Sequence, residues 1–219
     1  MQQLILPISS NTYHPDEFIV SSSNEVVYNA IKNWEVKWGV KPYEFTVLIY
    51  GAPGSGKTFL TRIWQKSCNA KILENINDFN EKILSQYDAF IIEDIENYYN
   101  YQETLNHCFN LINEYKKYLL FTTSSLINNF TLPDLVSRVN SILRIEINQP
   151  DDALMKILIF KHFSDNSIRI TNSVLEFLLV NLPRQYNLVE QLLEEVNNFA
   201  LQHKKRVTIS MIKKILNYT

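Results

Sequence analysis

Three of the four glycines in this 219-residue chain fall inside one octapeptide, Gly51-Ala52-Pro53-Gly54-Ser55-Gly56-Lys57-Thr58. Glycine lets a backbone turn through positive φ or come close to a ligand. The chain therefore spends its backbone freedom almost entirely at one place. The spacing GxxxxGK[ST] has a definite chemistry. Backbone N–H groups cradle phosphate oxygens, the lysine reaches the β and γ phosphates, and the hydroxyl ligates Mg²⁺. The octapeptide and Phe59 are thus the expected nucleotide cradle, for ATP or ADP with Mg²⁺, and Thr58 is the expected metal ligand.

A second set of reactive groups follows at Phe90-Ile91-Ile92-Glu93-Asp94. An apolar strand that ends in acids delivers carboxylates to the sheet edge where open α/β folds bind ligands. Glu93 is expected to hold the metal, and Asp94 to orient or activate the attacking water. Enzymes with such loops normally place Asp at the metal position. The extra methylene of Glu93 and the short reach of Asp94 predict firm nucleotide binding with slow turnover. Thr123 and Ser124, at the exit of Tyr118–Thr122, stand where a γ-phosphate sensor would sit. A polar strand exit with no ligand role is the competing reading.

These groups need a scaffold. Phe45–Tyr50 reads as a buried strand that runs straight into the glycine loop, and Lys57 to about Ser67 reads as a helix. Strand, loop and helix in that order turn the motif from a pattern into a site. Further strands are expected at Lys71–Leu73, Ala89–Ile92, Tyr118–Thr122 and Ser141–Ile147, with a helix at about 102–115. The alternation predicts an α/β fold, a parallel sheet flanked by helices. After Pro150 only helices are expected, at about 151–163, 172–182, 187–202 and 210–217, with Thr171 and Ser210 as N-caps. An earlier helix, Asn24 to about Trp38, would be capped by Ser23 or Asn24. The expected division is an extended segment 1–13, an α/β core 14–150 and a small all-α lid 151–219.

Bulk composition narrows the classes. Hydrophobic residues make up 46% of the chain, enough for a packed core. The net charge of -2 lacks the basic excess of an autonomous nucleic-acid binder. DNA would be reached only indirectly, through a partner. Cys68 and Cys108 have no metal-ligand spacing and read as reduced thiols in a cytoplasmic protein. No apolar run suits a bilayer span, and the N-terminus lacks a basic leader. His203-Lys204-Lys205-Arg206 reads as a solvated turn, and Tyr98-Tyr99-Asn100-Tyr101 as packing against sheet or lid.

The order of the pieces is glycine loop, acidic strand, polar strand end, Leu132-Pro133-Asp134-Leu135-Val136-Ser137-Arg138, then a helical lid. It resembles the AAA+ ATPases, and within them the DnaA/Hda family. The resemblance implies that Arg138 is an arginine finger entering a neighbouring subunit's ATP site. It implies that the segment around Phe18 and Val20 borders the adenine, an ordinary edge strand being the alternative. It also places a lid sensor at Pro183–Leu188. There Asn187 stands where arginine is expected, and Arg184 lies one helical turn earlier.

Two features resemble the short Hda branch of the family. No room for a helix-turn-helix DNA-binding domain is expected after the lid. Gln3-Leu4-Ile5-Leu6-Pro7-Ile8 is similar to a peptide that docks on the replication sliding clamp. Gln3 would bond at the pocket rim, Leu4, Leu6 and Ile8 would anchor, and Pro7 would stiffen an extended peptide. The implied function is a clamp-docked regulator that stimulates ATP hydrolysis by DnaA and represses re-initiation. Its partners would be the sliding clamp and DnaA, with a possible homodimer and no membrane. The alternatives are a self-contained DnaA-like or helicase-loader-like ATPase, and an interaction module with a degenerate nucleotide site.

Overall fold

The computed structural model describes residues 15–36, 38, 39, 41–125 and 129–216. Five strands form one sheet: β1 (Thr46–Gly51), β2 (Lys71–Ile72), β3 (Ala89–Ile92), β4 (Tyr118–Thr123) and β5 (Leu143–Ile147). They lie in the order β2-β3-β4-β1-β5, and every pairing is parallel. Helices α1 (Glu25–Lys32), α2 (Lys57–Cys68), α3 (Glu81–Gln86), α4 (Gln102–Glu114) and α5 (Pro133–Ser141) belong to this part of the chain.

The near-continuous apolar strands are explained by burial on both faces. Side chains alternate across a strand, and the alternation is visible in the two cores. Leu48, Phe90, Ile92, Leu119 and Phe121 pack with Leu105, Phe109 and Ile112 of α4. Their neighbours Val47, Ile49, Ala89, Ile91 and Leu120 pack on the opposite side with Val27, Leu60 and Trp64 of α1 and α2. The chain leaves β1 towards β2 on one side of the sheet and returns past it to β5 on the other. Ligands of such sheets bind outside the carboxyl ends of the strands where the order reverses. Here those ends are Gly51, Ile92 and Thr123.

Beyond β5 come α6 (Asp152–Asp165), α7 (Asn172–Asn181), α8 (Tyr186–His203) and α9 (Ile209–Ile215). They share a core of their own, built around Met155, Ile159, Phe163, Leu178, Leu193 and Ile212. The seam between sheet and helical lid is polar and specific. The Asn148 amide donates to Ser23 O at 2.9 Å, and the Tyr186 hydroxyl donates to Asn148 O at 3.2 Å. Asp151 caps α6 by accepting from the Leu154 amide at 2.7 Å, and it also accepts from the Ser22 hydroxyl at 2.6 Å. The Ser22 hydroxyl and then the Leu154 amide hold its carboxyl below the usual range. The stability from this cap is therefore present above the ordinary carboxylate pKa and lost as pH falls through the lowered one. Asp151→Ala should cost about 1 kcal/mol, read as a lower urea midpoint, and the loss should shrink under acid conditions.

Several sequence expectations need correction. The last strand starts at Leu143, because Pro133 at the first helical position starts α5, which runs on to Ser141. Thr208, not Ser210, caps α9, because its hydroxyl is the one that accepts from the third amide of the helix, Met211. Phe18–Val20 is no edge strand; it leaves a short 3₁₀ turn, Pro15–Glu17. Tyr98 and Tyr99 pack on the sheet side, as expected, where the Tyr98 hydroxyl donates to Glu74 O at 3.2 Å and the Tyr99 ring sits 4.8 Å from Phe130. Among the described residues no helix is long and apolar enough to cross a membrane.

Candidate nucleotide site

The glycine loop leaves β1 and turns straight into α2. Gly54 and Gly56 take φ of 79° and 94°, in the left-handed region that disfavours a side chain. A Cβ on Gly54 would also lie 3.1 Å from the Asn187 amide nitrogen at the start of α8. The loop apex is thus held between β1 and the lid. Gly56 caps α2, so the first amides of a twelve-residue helix open towards the loop. A helix start of this kind attracts anions through its unpaired N–H groups and its dipole.

Lys57 is buried and curls back, donating to Gly51 O at 2.7 Å and Ala52 O at 3.3 Å. Burial lowers its pKa, and the carboxylates of Asp94 and Glu96 work against that. The Ser55 hydroxyl oxygen is buried without a hydrogen-bond partner. A loop with a desolvated ammonium, an orphaned hydroxyl and open helix amides suits an anionic ligand such as a polyphosphate.

Acids close the cleft from the β3 side. Asp94 adopts φ 48°, and its amide donates to Thr122 Oγ1 at 2.9 Å. This left-handed step starts a 3₁₀ helix, Ile95–Tyr101, which carries Glu96 back over the cleft. Glu96 Oε1 accepts from the Ser124 amide at 2.8 Å and from the Ser124 hydroxyl. Burial alone would raise the Glu96 pKa, but the two Ser124 bonds hold it below the usual range. Asp94 moves the other way, pushed up by burial and by the charge of Glu96 against the pull of Lys57. Thr58, Lys57, Asp94, Glu96 and Ser124 all line this cleft of about 750 Å³, and Glu190 of α8 closes it from the lid. Lys57 is the one cation among these lining residues, facing three carboxylates.

A smaller cavity of about 190 Å³ adjoins the loop on the other side of Gly56. Its walls include Phe18, Ile19, Phe59, Leu158 and Tyr186, with Asn24 at the edge. The Phe18 ring stacks on Tyr28 at 5.7 Å and meets Phe59 at 5.4 Å. An apolar, aromatic-walled cavity beside such a loop is the kind of space that suits a planar base. Among the described residues no cluster of three or more His, Cys, Asp or Glu side chains could hold a metal unaided. A cation here would be shared between Thr58, an acid and nucleotide phosphate, which is how Mg²⁺ is commonly bound.

The same arrangement of sheet, loop and lid occurs in domain III of the replication initiation protein DnaA from Thermotoga maritima. That structure superposes with a TM-score of 0.72 at 19% identity and covers 94% of this chain and 95% of its own. The fold is that of the DnaA AAA+ domain. A replication initiator DnaA bound to AMPPCP and single-stranded DNA matches with a TM-score of 0.68 at 17% identity, over 88% of this chain and 68% of that one. By sequence, the chromosomal replication initiator DnaA of Borreliella afzelii is 28% identical over 237 residues, covering 96% of this chain and 48% of the relative. The chain thus spans about half the length of that relative. No protein-family model matches it.

Within this DnaA-type fold, the predicted site residues divide into two groups. Pro53, Gly54, Gly56, Lys57, Thr58, Phe59, Asp94 and Ser124 meet at the cleft, and Phe18 lines the smaller cavity with Phe59. Gly51, Ala52 and Ser55 complete the loop. Val20 is 43% exposed and is not among the smaller cavity's lining residues; Ile19 stands there instead. Thr123 turns its hydroxyl to Ser125 O at 2.9 Å. Glu93 accepts from the Thr61 hydroxyl and pairs with Arg62 at 3.2 Å, one helical turn along from Thr58. Arg184 stays inside the lid, paired with Asp152 at 2.6 Å and donating to Leu179 O at 3.2 Å. Asn187 presents its backbone to Gly54. Arg138 is half-buried on α5, donating to the Tyr43 hydroxyl at 3.3 Å. Gln3, Leu4, Leu6, Pro7 and Ile8 lie outside the described residues.

Sequence reasoning missed Glu96, Glu190 and the place of Tyr186 in the smaller cavity. A third acid after Glu93-Asp94 was the only available signal for Glu96. The left-handed turn at Asp94 that aims it was not legible.

Proposed function

We propose that this chain is an ATP- or ADP-binding AAA+ module of the DnaA type that acts in the initiation of DNA replication. One observation carries the reading. A glycine-built cradle, its buried lysine and three carboxylates line one cleft, and an aromatic-walled cavity adjoins it across Gly54, Gly56 and Phe59. The base would lie against Phe18 and Phe59, and the phosphates would draw Lys57 away from the Gly51 and Ala52 carbonyls. Thr58 and a cleft acid would hold Mg²⁺, which neutralises developing phosphate charge. Asp94 would orient the attacking water. With Lys57 the one cation among the described residues that line the cleft, fast turnover calls for a second positive group. Arg138 of a neighbouring copy or of a related AAA+ protein is our candidate. The structural neighbour that binds single-stranded DNA supports a nucleic-acid partner for the assembled form.

Calorimetry with ATP, ADP and AMP tests this directly. ATP and ADP should bind and AMP should bind far more weakly, since the cradle grips β and γ phosphates. Equal affinity for AMP, or no heat from any nucleotide, would end the proposal.

A second reading, the clamp-docked regulator that stimulates DnaA, is favoured by the sequence of the Gln3–Ile8 peptide. It predicts capture on immobilised sliding clamp, abolished by Gln3→Ala with Leu4→Ala. Capture unaffected by those changes, or absent from the outset, would leave the initiator-type reading alone.

A further inference from the structure

The nucleotide reading, on which this inference rests, leaves open which carboxylate serves the metal. Position in the sequence points to Glu93, directly after the apolar run of β3. The geometry points elsewhere. Both Glu93 carboxylate oxygens are engaged, Oε1 with the Thr61 hydroxyl and Oε2 with Arg62 at 3.2 Å. Glu93 is not among the residues that line the cleft, whereas Glu96 is, together with Lys57 and Thr58. Glu96 uses one oxygen for Ser124, and its other oxygen, Oε2, is buried with no hydrogen-bond partner. A buried, unpaired carboxylate oxygen is costly. A divalent cation held on Thr58 and the phosphates would supply its missing partner.

We propose that Glu96, not Glu93, is the carboxylate that engages nucleotide-bound Mg²⁺, and that Ser124 is the positioning residue that holds it there. Asp94 then remains free to orient water. Glu93 becomes a brace between β3 and α2. The oddity of a glutamate at the first acid position is resolved, since that position does not serve the metal in this chain.

The test is the magnesium advantage, the ratio of ADP affinity with Mg²⁺ to that in EDTA, measured by calorimetry on the full chain. Glu96→Gln should bring the ratio close to unity while metal-free ADP affinity is kept. Ser124→Ala should lower the ratio by roughly tenfold, as loss of an orienting partner does. Glu93→Gln should keep the wild-type ratio and lower the melting temperature instead. A ratio lost in Glu93→Gln but kept in Glu96→Gln, or no advantage in the wild-type chain, overturns this assignment alone. Absence of ADP binding with and without Mg²⁺ removes the nucleotide reading and the assignment with it. Ser124→Ala retains both acids, so it reports on the proposal even where Glu96→Gln folds poorly.

Discussion

Lys57→Ala is expected to weaken ATP and ADP binding by roughly a hundredfold, a loss of about 3 kcal/mol. The ammonium is already desolvated and rests on two carbonyls, Gly51 O and Ala52 O. Phosphate exchanges those neutral acceptors for anionic ones and so adds direct charge pairing in a desolvated site. Without lysine, Asp94, Glu96 and Glu190 face the polyphosphate with no cationic side chain to offset them. The stability of the unliganded chain should move the other way or not at all. A lysine pKa lowered on folding means that the fold disfavours the charge, so removing it costs little. The measurement is thermal unfolding with and without nucleotide. Wild type should gain melting temperature with ligand, as mass action requires, and Lys57→Ala should not. Equal gains in the two proteins would place the nucleotide somewhere other than the glycine loop.

Arg138→Ala is expected to leave nucleotide binding by the isolated chain unchanged. Hydrolysis in an assembly where Arg138 faces a neighbour's site should fall by about 10³–10⁵, the range for arginine fingers supplied in trans. Arg138 sits on α5 and is not among the residues lining its own cleft. One hydrogen bond to the Tyr43 hydroxyl engages its guanidinium, and Nε is buried without a partner. Releasing a hydrogen bond with one charged partner costs about 1.5–3 kcal/mol. That is less than the transition-state gain of roughly 4–7 kcal/mol that such rate factors represent. Tyr43→Phe should therefore leave stimulation intact or raise it slightly. Single-turnover hydrolysis with mixed wild-type and Arg138→Ala protein reads the effect. Stimulation that survives the alanine change would show that the second cation comes from another residue.

The sequence determined the parts of this protein that depend on local chemistry. GxxxxGK[ST] between an apolar strand pattern and a helical one reads as strand, glycine turn and helix in that order, so the loop was legible in the sequence. The apolar runs Val47–Ile49, Ala89–Ile92 and Leu119–Phe121 announced strands buried on both faces, and with them a parallel sheet. Thr171 was legible as a cap because an N-cap acts within three residues of itself. Only the tertiary structure decided which carboxylates line the cleft, and that neither Arg138 nor Arg184 does. Glu93 and Glu96 differ in role because one left-handed residue, Asp94, reverses the chain between them, and because Thr61 and Arg62 of α2 capture the first acid. Arg184 is diverted by Asp152, which the sequence places 32 positions away and the fold brings to 2.6 Å. Such pairings are set by long-range packing, where contacts between distant residues compete for the same side chain, and no local pattern records the winner.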